Sequence, residues 1–126
     1  MGIEKAIKEY LKGLETSNYT KIMQLFSDDA IIYSPLYGKI KANKFYQELF
    51  KDTLKSKITL MNILISTNNP ESAAGHFRYN WILKDGTPTS FECVDIFWFA
   101  KNGKIKELTI IYDTSKIRRS FEKMKE

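Results

Sequence analysis

The chain has 126 residues, of which 43% are hydrophobic, 28% charged and 13% aromatic. Those proportions describe one globular unit over residues 1–126 and exclude a disordered tail or a linker. One cysteine and one histidine exclude an intramolecular disulfide and a Cys/His zinc site, and they fit a reducing, cytoplasmic setting. No apolar run reaches the ~20 residues of a membrane helix, and the charged opening Met1 to Glu15 does not read as a secretory leader.

The net charge of +5 comes from lysines and arginines in Lys39–Lys57, Lys101–Lys106 and Lys116–Lys125. Acidic or apolar residues interrupt each run. No helix-turn-helix, zinc-finger or base-stacking motif accompanies them, so a solvated basic face is expected and not a nucleic-acid surface.

In chain order, Ile3, Ala6, Ile7, Tyr10, Leu11 and Leu14 recur at helical spacing and predict a first helix over Ile3 to Thr16. Asn18 is a good N-cap for a second helix that buries Ile22, Met23, Leu25 and Phe26 and ends at Ser27-Asp28-Asp29. Ala30 to Ser34 reads as a short strand stopped by Pro35, and Tyr37-Gly38-Lys39 as a turn. A third helix is predicted from Ala42 to about Leu54, with Phe45, Leu49 and Phe50 inward.

Four β-rich runs follow: Ile58 to Thr67, Ala73 to Lys84, Thr87 to Ala100 and Lys104 to Asp113. Asp85-Gly86 and Asn102-Gly103 separate the last three and suit two-residue hairpin turns with positive φ. At the end of the chain Ile117, Phe121 and Met124 make one apolar side of a short helix. Such a helix is ordered only if it docks, on a pocket mouth or on a partner chain. Helices first and a strand meander afterwards define an α+β class.

With Asp85 and Gly86 as a two-residue turn, Lys84 pairs with Thr87, which sets His76 opposite Asp95 and Arg78 opposite Cys93. One face then carries His76, Arg78, Asn80, Cys93, Asp95 and Phe97. The second hairpin adds Leu108, Ile110 and Tyr112 to it, and Phe91 lies opposite Asn80. The other face carries Phe77, Tyr79, Trp81, Val94, Trp98 and Ile111, too apolar to leave in water, and so predicts a homodimer. Three ionisable groups among apolar neighbours on the first face either form a structural pair or line a cavity that holds a small molecule.

The run from Tyr10 to Leu14, Asn18, and Leu25-Phe26-Ser27-Asp28-Asp29-Ala30 resembles the nuclear transport factor 2-like superfamily, in its SnoaL-like polyketide cyclase and ketosteroid isomerase branch. The resemblance implies a cone: a curved antiparallel sheet with three N-terminal helices, the cystatin-like roll. It implies that Tyr10 and Asp95 match the first-helix Tyr and the sheet Asp of the isomerase oxyanion hole, in which an apolar site holds the carboxyl neutral. The isomerase base, an Asp before a Pro, is Ser34 here. Two functions remain open at this point. One is an acid–base enzyme of isomerase, cyclase or dehydratase type on a small hydrophobic carbonyl or polyketide-like compound. Asp95, Tyr10 and His76 would do the chemistry, Arg78 would hold an anionic group, and Ser34 and Tyr33 would border the mouth. The other is a binding or interaction module without turnover. Neither needs a metal or an organic cofactor.

Overall fold

The computed structural model describes residues 2–126. Helix α1 (Ile3–Glu15) buries Ala6, Ile7, Tyr10, Leu11 and Leu14, the predicted stripe. Helix α2 (Tyr19–Leu25) starts on Asn18, whose side-chain oxygen accepts from Lys21 N at 3.1 Å. It satisfies one of the unpaired first-turn amides, as an N-cap should. Phe26 does not extend this helix; it begins strand β1 (Phe26–Ser34), longer than the predicted Ala30–Ser34 because Phe26 pairs with Ile105.

The turn after Pro35 comes earlier than expected. Ser34 Oγ accepts from Leu36 N at 3.3 Å and from Tyr37 N at 3.1 Å, so strand β2 (Gly38–Lys41) already starts at Gly38. Helix α3 (Ala42–Lys51) stops before the predicted Leu54, since Asp52 caps it with its N–H on Glu48 O at 3.0 Å. The chain passes directly into strand β3 (Thr53–Ile65), then β4 (Ser72–Leu83), β5 (Pro88–Phe99) and β6 (Ile105–Ile111), and closes with helix α4 (Arg118–Lys125).

The six strands form one curved, unclosed sheet in the order β2-β1-β6-β5-β4-β3. Strand β1 runs parallel to β6; the other neighbours are antiparallel. Helices α1 and α3 pack on its concave side. There Ile7, Tyr10, Ile22, Tyr46, Phe97 and Leu108 are almost wholly removed from water.

The β4–β5 hairpin departs from the expected register by one residue. Its loop is Lys84-Asp85-Gly86, three residues long: Leu83 N donates to Thr87 O at 2.9 Å and Gly86 N to Leu83 O at 2.8 Å. Gly86 has φ of 91°, the left-handed residue of a three-residue hairpin. His76 therefore faces Val94 and Arg78 faces Glu92, while Phe77 pairs with Cys93 and Gly75 with Asp95. A slip of one residue moves a whole strand's side chains to the other face. Phe77, Tyr79 and Trp81 consequently lie inside the cone and not on the outer face, where only Val94, Trp98 and Ile111 of the expected dimer residues remain.

The second hairpin also turns with three residues, Lys101-Asn102-Gly103, as Ala100 N on Lys104 O at 2.8 Å shows. Here an irregularity between Ile105 and Glu107 restores the expected pairing, Asp95 with Ile110 and Phe97 with Leu108.

Candidate active-site cavity

The concave face of the sheet, α1 and α3 enclose a narrow cavity of about 30 Å³, room for a water or two in this closed form. Strand alternation builds its walls. Phe77, Tyr79 and Trp81 point in from β4, and Phe91, Cys93 and Asp95 from β5. Helices α1 and α3 add Tyr10, Leu14, Phe45 and Leu49. Trp81 Nε1 donates to Thr53 Oγ1 at 2.7 Å, which fixes the indole at the wall. Tyr79 stacks beside it, centroids 6.0 Å apart, and shares a hydrogen bond with Ser56 Oγ at 3.2 Å.

Asp95 is the acidic residue of this lining and is 1% exposed. Cys93, two residues earlier on the same face, donates its thiol to Asp95 Oδ1 at 3.1 Å. Burial lifts the Asp95 carboxyl out of the usual range to about 7, against the weaker downward pull of the Cys93 hydrogen bond. Burial and the neighbouring Asp95 push the Cys93 thiol far up, so it stays protonated. Tyr10 shares a hydrogen bond of 2.6 Å with Tyr46, and its ring packs edge-on against Phe97 at 5.1 Å. Burial raises both phenols well above their ordinary value. The cavity therefore holds one acid near neutrality, a thiol and several neutral hydroxyls. Among the described residues, no lysine, arginine or histidine lines it.

Of the predicted site residues, Asp95, Tyr10, Ser34, Phe91, Cys93, Ile110 and Tyr112 meet in this cavity. Phe97 and Leu108 lie in the core, fully buried. His76, Arg78 and Asn80 are on the opposite face, a correction that follows from the hairpin register. There His76 Nε2 sits 3.3 Å from Glu92 Oε2, Arg78 donates to Ser90 Oγ at 3.0 Å, and Asn80 faces Ser90. Tyr33 also falls outside the cavity lining, with Lys39 Nζ 5.9 Å from its ring centre. The anionic group assigned to Arg78 loses its anchor with that move.

Tyr46, Tyr37 and Asp52 were not singled out from the sequence. Tyr46 carries a weak signal, as a second ring four residues before Phe50 on the inward side of α3. Asp52 carries none. It is a charge after a helix end, yet it is fully buried and accepts from Tyr37 Oη at 2.8 Å. Among the described residues, no cluster of three His, Cys, Asp or Glu side chains could hold a metal ion, and no helix is long and apolar enough to cross a membrane.

A sheet curled over helices, with one buried acid in an aromatic cavity, defines a class of small-pocket α+β cones. Residues 7–108 match the model of the SnoaL-like domain, and the chain belongs to that family, within the NTF2-like superfamily. No curated protein matches the chain.

Similar solved structures include an NTF2-like protein of unknown function from Exiguobacterium sp. 255-15, at 15% identity and TM-score 0.74, covering 87% of this chain and 99% of that one. The epoxide hydrolase/cyclase-like enzyme SalBIII, described with a role in pyran ring formation in the polyether salinomycin, is 15% identical with TM-score 0.75, over 89% and 91% of the two chains. AclR, a candidate hydroxylase from Streptomyces galilaeus, is 14% identical with TM-score 0.75, over 95% of each chain. At such identities the likeness is one of fold.

Proposed function

We propose that this protein is an acid–base catalyst acting on a small, neutral, hydrophobic carbonyl or polyketide-like compound, with Asp95 as the proton-transferring group. The observation that carries this reading is a lone carboxyl at about 7, buried among rings in a cavity whose lining has no cation. A pKa near the working pH suits a group that must both give and take a proton. Neutral, Asp95 donates a hydrogen bond to a carbonyl oxygen; ionised, it removes a proton from the adjacent carbon. Tyr10, kept as a phenol, is the second donor toward that oxygen. The likeness in fold to a cyclase-like enzyme supports the same class of chemistry.

Deuterium incorporation from D2O next to the carbonyl of a set of cyclic ketones, followed by NMR, tests this. The parent protein is expected to speed exchange into at least one of them and Asp95→Asn to abolish it. Ketones that bind the parent with deuterium gained by none of them overturn catalysis.

One observation favours the alternative, a ligand-binding module without turnover. Ser34 occupies the isomerase-base position and its Oγ is engaged by Leu36 N and Tyr37 N, so it holds a turn and cannot serve as a base.

The outer sheet face supports a homodimer. Ile111 and Leu64 are 50% and 57% exposed there, on the side that also bears Val94, Ile96 and Trp98. A second copy covering them removes an apolar patch from water, and a standard interface needs ~800 Å² per partner. Light scattering is expected to give twice the 14.7 kDa chain mass, and Ile111→Lys to halve it. A parent of single-chain mass at micromolar concentration overturns the dimer.

A further inference from the structure

Helix α4 has eight residues, below the ~12–15 that an isolated helix needs in water. Its order comes from what it touches, and its contacts fall on the rim of the cavity. Phe121 packs against Tyr37 at 5.2 Å and Trp81 at 6.1 Å between ring centres; both rings line the cavity. Arg118 donates to Pro35 O at 3.0 Å, next to the lining residue Ser34. Lys125 Nζ donates to Asp52 Oδ2 at 2.9 Å, the same oxygen that takes the Tyr37 hydroxyl. Asp52 thus ties α3, the β1–β2 turn and α4 together.

We propose that α4 is a gate over this cavity, latched by Lys125 on Asp52 and Tyr37. Undocking lifts Phe121 from Tyr37 and Trp81 and opens the wall to a neutral apolar ligand; the proposal rests on the cavity being a ligand site. A latch must release without stranding a buried charge. Asp52 meets this condition, because Oδ1 makes no hydrogen bond and lies 3.6 Å from Lys84 Nζ. Lys84 and the Tyr37 hydroxyl keep the carboxylate paired when Lys125 leaves. The Lys125 side chain is 38% exposed already, so its ammonium passes to water at little cost. Lys125 Nζ also lies 3.7 Å from Glu48 Oε2, so the latch joins α4 to α3 through two carboxylates, and Lys125→Met removes both pairs at once.

The test uses N-phenyl-1-naphthylamine, a neutral dye that brightens in apolar surroundings, with its association rate followed by stopped flow. Lys125→Met keeps the aliphatic stem and removes the latch. Arg119→Met removes the same charge from an exposed position of the same helix. Lys125→Met is expected to bind dye about fivefold faster than the parent, the scale of one partly exposed ion pair, and to lose hydrogen-exchange protection in α4. Phe121→Ala repeats the gain without touching the ion pair, and Arg119→Met leaves the rate unchanged. Equal rates in all four proteins overturn the gate and leave the cavity reading standing. Dye bound by none of them overturns the cavity reading, and the gate with it.

Discussion

Asp95→Asn is expected to stabilise the folded protein at pH 8 and to leave it unchanged at pH 4. The Asp95 carboxyl titrates at about 7 in the fold and near ~3.9 in the unfolded chain. Between those values the folded state holds a proton that the unfolded state has released, so stability falls as pH rises. Stability is complete below about 4, declines by ~1.4 kcal/mol per pH unit, and levels off above about 7 after a loss of ~4 kcal/mol. Asparagine has the same shape and never ionises, so the variant escapes that loss. Comparing parent with variant isolates the effect from Glu9, Asp85 and Asp113, whose lowered carboxyls act in the opposite sense. Urea unfolding at both pH values checks it. A parent as stable as the variant at pH 8 would show that Asp95 is charged and well solvated, which removes the basis for its catalytic role.

Trp81→Ala is expected to cost about 3–5 kcal/mol, the range for emptying a large aromatic site. Trp81 is 2% exposed, stacks on Tyr79, meets Phe121 of α4 and gives its indole N–H to Thr53. The loss combines a cavity with the lost indole hydrogen bond, while the Thr53 hydroxyl keeps its bond to Leu49 O at 2.6 Å. The melting temperature should fall by roughly 10 °C or more, and light scattering should still give the parent's mass. That mass separates the two places Trp81 can occupy. In a dimer interface, as the two-residue hairpin implies, the variant would dissociate to single chains. Inside the cone it weakens each protomer by itself.

Trp81 and His76 exchange faces through one loop residue, and this explains how far the sequence carries. The helical stripe Ile3 to Leu14, the Asn18 cap and the apolar side Ile117, Phe121, Met124 were legible because each depends on neighbours three or four residues away. The strands were legible for the same reason, since alternation is local. Asp95 stands out from strand alternation and from the family resemblance, Tyr10 as a candidate from the resemblance alone, and both line the cavity. His76, Arg78 and Asn80 were misplaced because Asp-Gly suits a two-residue turn and also the end of a three-residue one. β5 is apolar on both faces, with Phe91 and Phe97 on one and Val94, Ile96 and Trp98 on the other. Its pattern accepts either register.

By itself, then, the sequence determined the elements other than β2, which it read as a turn, their order and the family, all carried by short-range patterns. Only the tertiary structure decided which face of β4 meets the helices. Burying Phe77, Tyr79 and Trp81 beside Phe91 and Phe97 under α1 and α3 removes more apolar surface than the alternative, which would bury His76 and Arg78. It alone also brought Tyr46 to Tyr10 and Lys125 to Asp52, across separations of 36 and 73 residues. No local pattern encodes a contact between groups that far apart; it exists only once the sheet has curled and the helices have docked on it.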